Sequence, residues 1–148
     1  MKLGLRASPT EVTFTVFDEE SNSIVTIDQI KVPKVLESPE ALKHIRFNIL
    51  DIIREYSITN AGIRITESSS QQLSIERIQI EGVIQEAFAS SALKSYYTGQ
   101  VSNISKRIGI DRKTFKPFID GEQNFDDVEG WGKLSKNERE SVLCALGA

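Results

Sequence analysis

The sequence predicts an α/β fold with a central mixed sheet of about five strands, a three-stranded antiparallel meander plus parallel strands, flanked by helices. Three observations predict it. Val12, Phe14 and Val16 alternate with Thr13, Thr15 and Phe17, the period of two of a strand with one face on a core. Leu42, Ile45, Ile49, Ile52, Ile53 and Tyr56 recur at spacings of three and four, the apolar stripe of an amphipathic helix. Ile63-Arg64-Ile65-Thr66-Glu67 then reads as a short strand, and a right-handed crossover makes a strand in that place parallel to an earlier one.

The meander comprises residues 3–7, 12–18 and 24–32, separated by Ser8-Pro9-Thr10 and by Glu19-Glu20-Ser21-Asn22-Ser23. Its β-branched content suits a pleated surface. Ser38-Pro39-Glu40 supplies a hydroxyl N-cap, a proline at the first helical position and an acid where the helix dipole favours one, so a helix is predicted from there to about Tyr56. Asn60-Ala61-Gly62 reads as a turn before the strand at 63–67. A second helix is expected over 73–90, with Ile75, Ile78, Ile84, Ala87 and Phe88 in it. Gly82 interrupts that helix at a cost of about 1 kcal/mol relative to alanine, which suggests close approach of another backbone.

Residues 94–97 form a short strand candidate, and 101–108 a short helix ended by Gly109. Residues 119–132 read as an acidic loop whose carboxylates lack the spacing of a calcium loop. The chain ends in a helix for which Ser135 is the expected N-cap and Glu138 completes a capping box.

At 148 residues the whole chain, 1–148, is expected to be one domain with one core. No apolar run approaches the roughly 18 residues that a membrane span requires, so no membrane partner is expected. The N-terminus passes straight into strand pattern without a secretory signal, and Cys144 is the single cysteine, so a reducing, cytoplasmic location is expected. Cys144 stands in an apolar run and reads as a small hydrophobe. His44 reads as a surface residue, since no second histidine exists to share a soft metal with it.

A net charge of −3, from 18 basic and 21 acidic residues, provides no bulk attraction to phosphate backbones. Nucleic-acid binding therefore depends on a local patch, and Lys106, Arg107, Arg112, Lys113 and Lys116 form the one basic cluster, with Phe115 and Phe118 among them. That composition suits phosphate pairing with base stacking, but a solvated helix end and loop accounts for the same residues. Glu67, at the carboxyl end of its strand, is placed where open α/β sheets gather ligands, although an exposed strand-end carboxylate is the plainer reading.

Taken in order, Leu3-Gly4-Leu5 followed by a meander, Ile63-Arg64-Ile65-Thr66-Glu67, Ile80-Glu81-Gly82-Val83-Ile84, Tyr96-Tyr97 leading into 101–109, and Glu140-Ser141-Val142-Leu143-Cys144-Ala145 resemble the ribonuclease H-like superfamily, and within it the RuvC-type Holliday-junction resolvases. The resemblance covers nearly the whole chain. It implies nucleic-acid processing, a homodimer formed through helices next to the glycine-containing one, and two magnesium ions held by acids on the first strand, at the end of the fourth and on the final helix. By position Glu67 matches the fourth-strand acid. Glu140, or less closely Glu138, matches one final-helix acid, and Asn137 falls near the other.

Arg6 occupies the place of the first-strand aspartate. A guanidinium there removes a ligand and sets a positive charge in the metal site, so two-metal cleavage should fail. Arg6 can pair with Glu67 or Glu140 and plug the centre, or it can engage a phosphate directly. The expected function is a catalytically degenerate RuvC-like protein that binds nucleic acid or a protein partner, with no cofactor. The alternative is an active nuclease using Mg2+ or Mn2+, with Glu67 and Glu140 as ligands and Glu11, Asp18 or an acid of the 120–129 loop supplying the missing one.

Overall fold

The computed structural model describes residues 1–148. Five strands, β1 (Lys2–Ala7), β2 (Glu11–Asp18), β3 (Ser23–Lys31), β4 (Asn60–Arg64) and β5 (Ser95–Gly99), form one sheet in the order β3-β2-β1-β4-β5. β1 and β3 run antiparallel to β2, whereas β4 lies parallel to both β1 and β5. This is the expected mixed sheet.

Its parallel half is displaced from the sequence reading. Asn60-Ala61-Gly62 is strand, not turn, and β4 ends at Arg64, which leaves Glu67 three residues beyond it. Turn-forming residues yield here because they lie between two hydrogen-bonding neighbours, β1 and β5. Gly62 has a packing reason to be glycine, since a Cβ there would stand 2.2 Å from the Tyr97 ring.

Five helices follow in chain order: α1 (Ser38–Glu55), α2 (Ile75–Ala89), α3 (Val101–Ile108), α4 (Arg112–Ile119) and α5 (Lys136–Leu146), with a 3-10 turn at Trp131–Lys133. α1 begins one residue earlier than its sequence signal. Glu37 is its N-cap without a side-chain bond, and Ser38 is already helical. α2 is capped by Ser74, whose hydroxyl accepts from the Arg77 N–H. The capping box of Ser135 and Glu138 forms as expected.

Two further expectations fail. Arg112–Ile119 is a helix rather than loop, capped by Asp111 accepting from the Lys113 N–H, and Pro117 falls inside it. A proline near the end of so short a helix removes one backbone donor without breaking the turn. Gly82, for its part, faces open space within this chain: a Cβ there meets nothing within 4 Å, so no intrachain backbone explains it.

The single core expected from chain length is instead two, one on each face of the sheet, because helices cover both faces. On one face Leu3, Leu5, Val12, Phe14, Val16, Ala61 and Ile63 pack against Ile45, Ile49 and Ile53 of α1 and Ile80, Ile84 and Phe88 of α2. Each of the larger of these side chains contributes roughly 1.5–3 kcal/mol by leaving water. On the other face Tyr97, Ile104, Phe115, Phe118, Trp131, Val142 and Leu143 join α3, α4 and α5.

Towards α5 the central strands present small and polar residues. A Cβ on Gly4 would stand 2.0 Å from the Ser141 carbonyl oxygen and 2.2 Å from the Ala145 nitrogen, so α5 lies directly on β1. The Thr15 and Ser141 hydroxyls meet at 2.6 Å beside this contact. That close seat brings Glu140, one residue before Ser141, over the carboxyl ends of β1 and β4.

Candidate functional site

Arg6 and Arg64 are register partners on the parallel strands β1 and β4, so their side chains leave the same face of the sheet. Both are buried, and both reach Glu140 of α5. Arg6 Nε lies 3.1 Å and Arg64 Nε 3.3 Å from the same carboxylate oxygen, Oε2. Neither Nε nor that oxygen has a well-aligned hydrogen-bond partner, so charge rather than directed hydrogen bonding holds the three together. Arg6 also donates through Nη1 to the Arg64 carbonyl at 3.4 Å, and Arg64 donates through its Nη1 to the Ile65 carbonyl.

Glu67 enters from the loop after β4. Its Oε1 lies 3.2 Å from Arg64 Nη2 and accepts the Val101 N–H at 2.8 Å, which places the carboxylate on the N-terminus of α3. A third carboxylate, Glu81 of α2, accepts from the Thr66 N–H, the Thr66 hydroxyl and Arg77 Nε. Burial lowers the pKa of Arg6 from its ordinary value, with the Glu140 charge opposing and the nearby Arg77 and Arg64 adding to the decrease. Cys144, one turn after Glu140, is pushed up to about 12 by burial and by that carboxylate.

This donor set does not fit a divalent ion. Glu67 and Glu140 are separated by a guanidinium that pairs with both, and Glu67 is also engaged by a helix N-terminus. No group of three or more histidine, cysteine, aspartate or glutamate side chains comes together that could hold a metal.

Three of the other candidate ligands, Asp18, Glu138 and Asp120, are engaged elsewhere. Asp18 is at the amino-terminal end of β1, opposite to Arg6, and its carboxylate accepts from Ser21. Glu138 is occupied by its capping box and by Gln29. Asp120 pairs with Lys136, on a loop held at its two ends by Arg139, which donates to the carbonyls of Ile119, Trp131 and Gly132. His44 bonds the Lys31 carbonyl at the surface.

The basic cluster splits in two. Lys106, Arg112, Lys113 and Lys116 are exposed on α3 and α4 and form no ion pair. Arg107 is exposed as well but is engaged within the chain: its guanidinium stacks 4.0 Å above the Tyr97 ring and donates to the Gly147 carbonyl at 3.0 Å. The two phenylalanines are core residues, with Phe115 only 1% exposed, so they offer no stacking platform for bases. Phe115 instead lies beneath the Arg64 guanidinium, 5.9 Å from it. Sequence reasoning missed Arg64; the signal that could have found it is its place opposite Arg6, which becomes visible only when the parallel register is known.

No family model matches this sequence, and no curated protein matches it significantly. Solved structures do match in fold. Thermus thermophilus RuvC in complex with a Holliday junction substrate superposes with a TM-score of 0.71 at 12% identity, over 98% of this chain and 90% of that one. Another structure of Thermus thermophilus RuvC gives 0.67 at 9% identity, with the same coverage. The yeast mitochondrial Holliday junction resolvase gives 0.56 at 10% identity, covering 98% of this chain and 77% of that one. The fold is therefore ribonuclease H-like. More narrowly, it is the RuvC-like form of that fold, which its neighbours share with Holliday junction resolvases. No helix is long and apolar enough to cross a membrane.

Proposed function

We propose that this is a catalytically degenerate RuvC-like protein that acts by binding nucleic acid. The observation that carries this reading is the ion-paired centre, in which the final-helix acid Glu140 is engaged by two buried guanidiniums, Arg6 and Arg64. A carboxylate so occupied does not offer its oxygen as a ligand to a metal ion.

The binding surface in this reading is the exposed face of α3 and α4, where Lys106, Arg112, Lys113 and Lys116 carry charges that no acid of the chain neutralises. Contacts of this type read phosphates rather than bases, in keeping with the burial of Phe115 and Phe118. Four-way junctions, duplexes and single strands are the substrates to compare. The expected result is salt-dependent binding, measured by fluorescence anisotropy, with no cleavage in Mg2+ or Mn2+. Cleavage abolished by Glu67→Ala overturns the reading.

We infer further that the protein pairs with a second copy through α2. Ile75, Ile78, Gln79, Gly82 and Gln85 form an uncharged stripe along its exposed face, and Gly82 leaves room there for another helix to approach. Light scattering on the intact chain is expected to give a dimer that Gly82→Arg converts to a monomer. A wild-type monomer at micromolar concentration removes this part of the proposal.

A further inference from the structure

Arg64 is the side chain that stands between the two acids at the centre. Its Nη2 lies 3.2 Å from Glu67 and its Nε 3.3 Å from Glu140, whereas Arg6 pairs with Glu140 alone. It is held from three directions: β4 fixes its backbone, the Ile65 carbonyl receives one amino group, and the Phe115 ring of α4 lies against its face. A divalent ion bridging Glu67 and Glu140 would need the space that this guanidinium fills. The four groups, two acids and two guanidiniums, sum to zero charge, so nothing is left for an added cation to neutralise.

We propose that Arg64, rather than Arg6, closes this centre to divalent cations, so that placing a carboxylate at position 6 does not by itself create a metal site. The inference rests on the non-catalytic reading of the centre and adds the residue responsible. In an Arg6→Asp variant the new carboxylate enters a site where Arg64 still separates the other two acids and pairs with them. Removing Arg64 as well leaves three carboxylates with no guanidinium between them, a donor set of the kind hard divalent cations take.

The test is Mn2+ titration of the full-length chain, followed by the electron paramagnetic resonance of free Mn2+ and by melting temperature. R6D/R64Q is expected to bind Mn2+ at least about tenfold more tightly than R6D, and to melt higher with Mn2+ than without. Equal affinity of R6D and R6D/R64Q, including no binding by either, overturns the proposal and leaves the non-catalytic reading standing. Mn2+ binding by the wild-type chain that Glu67→Gln and Glu140→Gln abolish overturns both. Should R6D fail to show a cooperative melt, the pair R6N and R6N/R64Q carries the same comparison, with tighter binding by the double variant expected and equal binding overturning the proposal.

Discussion

Arg6 and Arg64 stand side by side on adjacent parallel strands, and their guanidiniums converge on one oxygen of Glu140, at 3.1 and 3.3 Å. Two like charges persist in one buried place because the Glu140 carboxylate lies between them and Glu67 also pairs with Arg64. The centre is thus an arginine–glutamate–arginine arrangement whose parts come from β1, β4 and α5, and each depends on the other two.

Glu140→Gln is therefore expected to destabilise the protein by about 3–5 kcal/mol, because it leaves two buried guanidiniums without their shared counter-charge. Urea unfolding measures this. Combining it with Arg6→Met, which removes one of the stranded charges, is expected to recover part of the loss, and the absence of any coupling would show that the three residues do not act as a unit.

The seat of α5 on β1 gives a second expectation. Gly4→Ala places a methyl group 2.0 Å from the Ser141 carbonyl oxygen and 2.2 Å from the Ala145 nitrogen, both backbone atoms that cannot rotate aside. α5 must lift from the sheet, at a cost of about 3 kcal/mol or more. Thermal melting should show it, and near-wild-type stability would mean that α5 does not rest directly on β1.

Alkaline stability follows from the buried thiol. Burial, the largest cause, and the Glu140 carboxylate raise Cys144 from 9.0 to about 12. The folded state therefore keeps its proton longer than the unfolded state. The stability this represents is fully present below about pH 9 and is lost as pH rises towards 12, on the order of 4 kcal/mol across that window. Tyr97 is raised in the same direction, chiefly by burial, so its contribution begins to fade above about pH 10. Urea unfolding over a pH series should show Cys144→Ala flattening the decline between pH 9 and 12, and an unchanged slope would place the proton release elsewhere.

Within the basic cluster, neighbouring cations should behave differently. Lys113→Glu with Lys116→Glu is expected to weaken the proposed nucleic-acid binding and to reduce its salt dependence while leaving the melting temperature near wild type, since both side chains are exposed and unpaired. Arg107→Ala should instead lower the melting temperature, because its guanidinium stacks on Tyr97 and ties down the Gly147 carbonyl. Anisotropy and thermal melting on the same samples separate the two, and loss of stability in the lysine variant would reassign those residues to structure.

Much of this molecule is determined locally. The alternation of β2, the isoleucine stripe of α1, the capping box of α5 and the αL glycine after α3 are each written within a few residues, because their causes are short-range: side-chain period, cap chemistry and backbone sterics. The cation at position 6 was legible for the same reason, once the strand that bears it had been placed in its fold.

The tertiary structure decided the rest. Whether Asn60-Ala61-Gly62 turns or pairs depends on strands distant in sequence, and that pairing sets Arg64 opposite Arg6. α4 is held by Phe115 and Phe118 inserting into a core to which β5, α3 and α5 also contribute, which its short, proline-bearing sequence does not announce. The same insertion takes both aromatics away from any ligand and sets one of them under Arg64. Strand register and the seat of a helix are properties of contacts between segments, so a single sequence carries their residues but not their meeting.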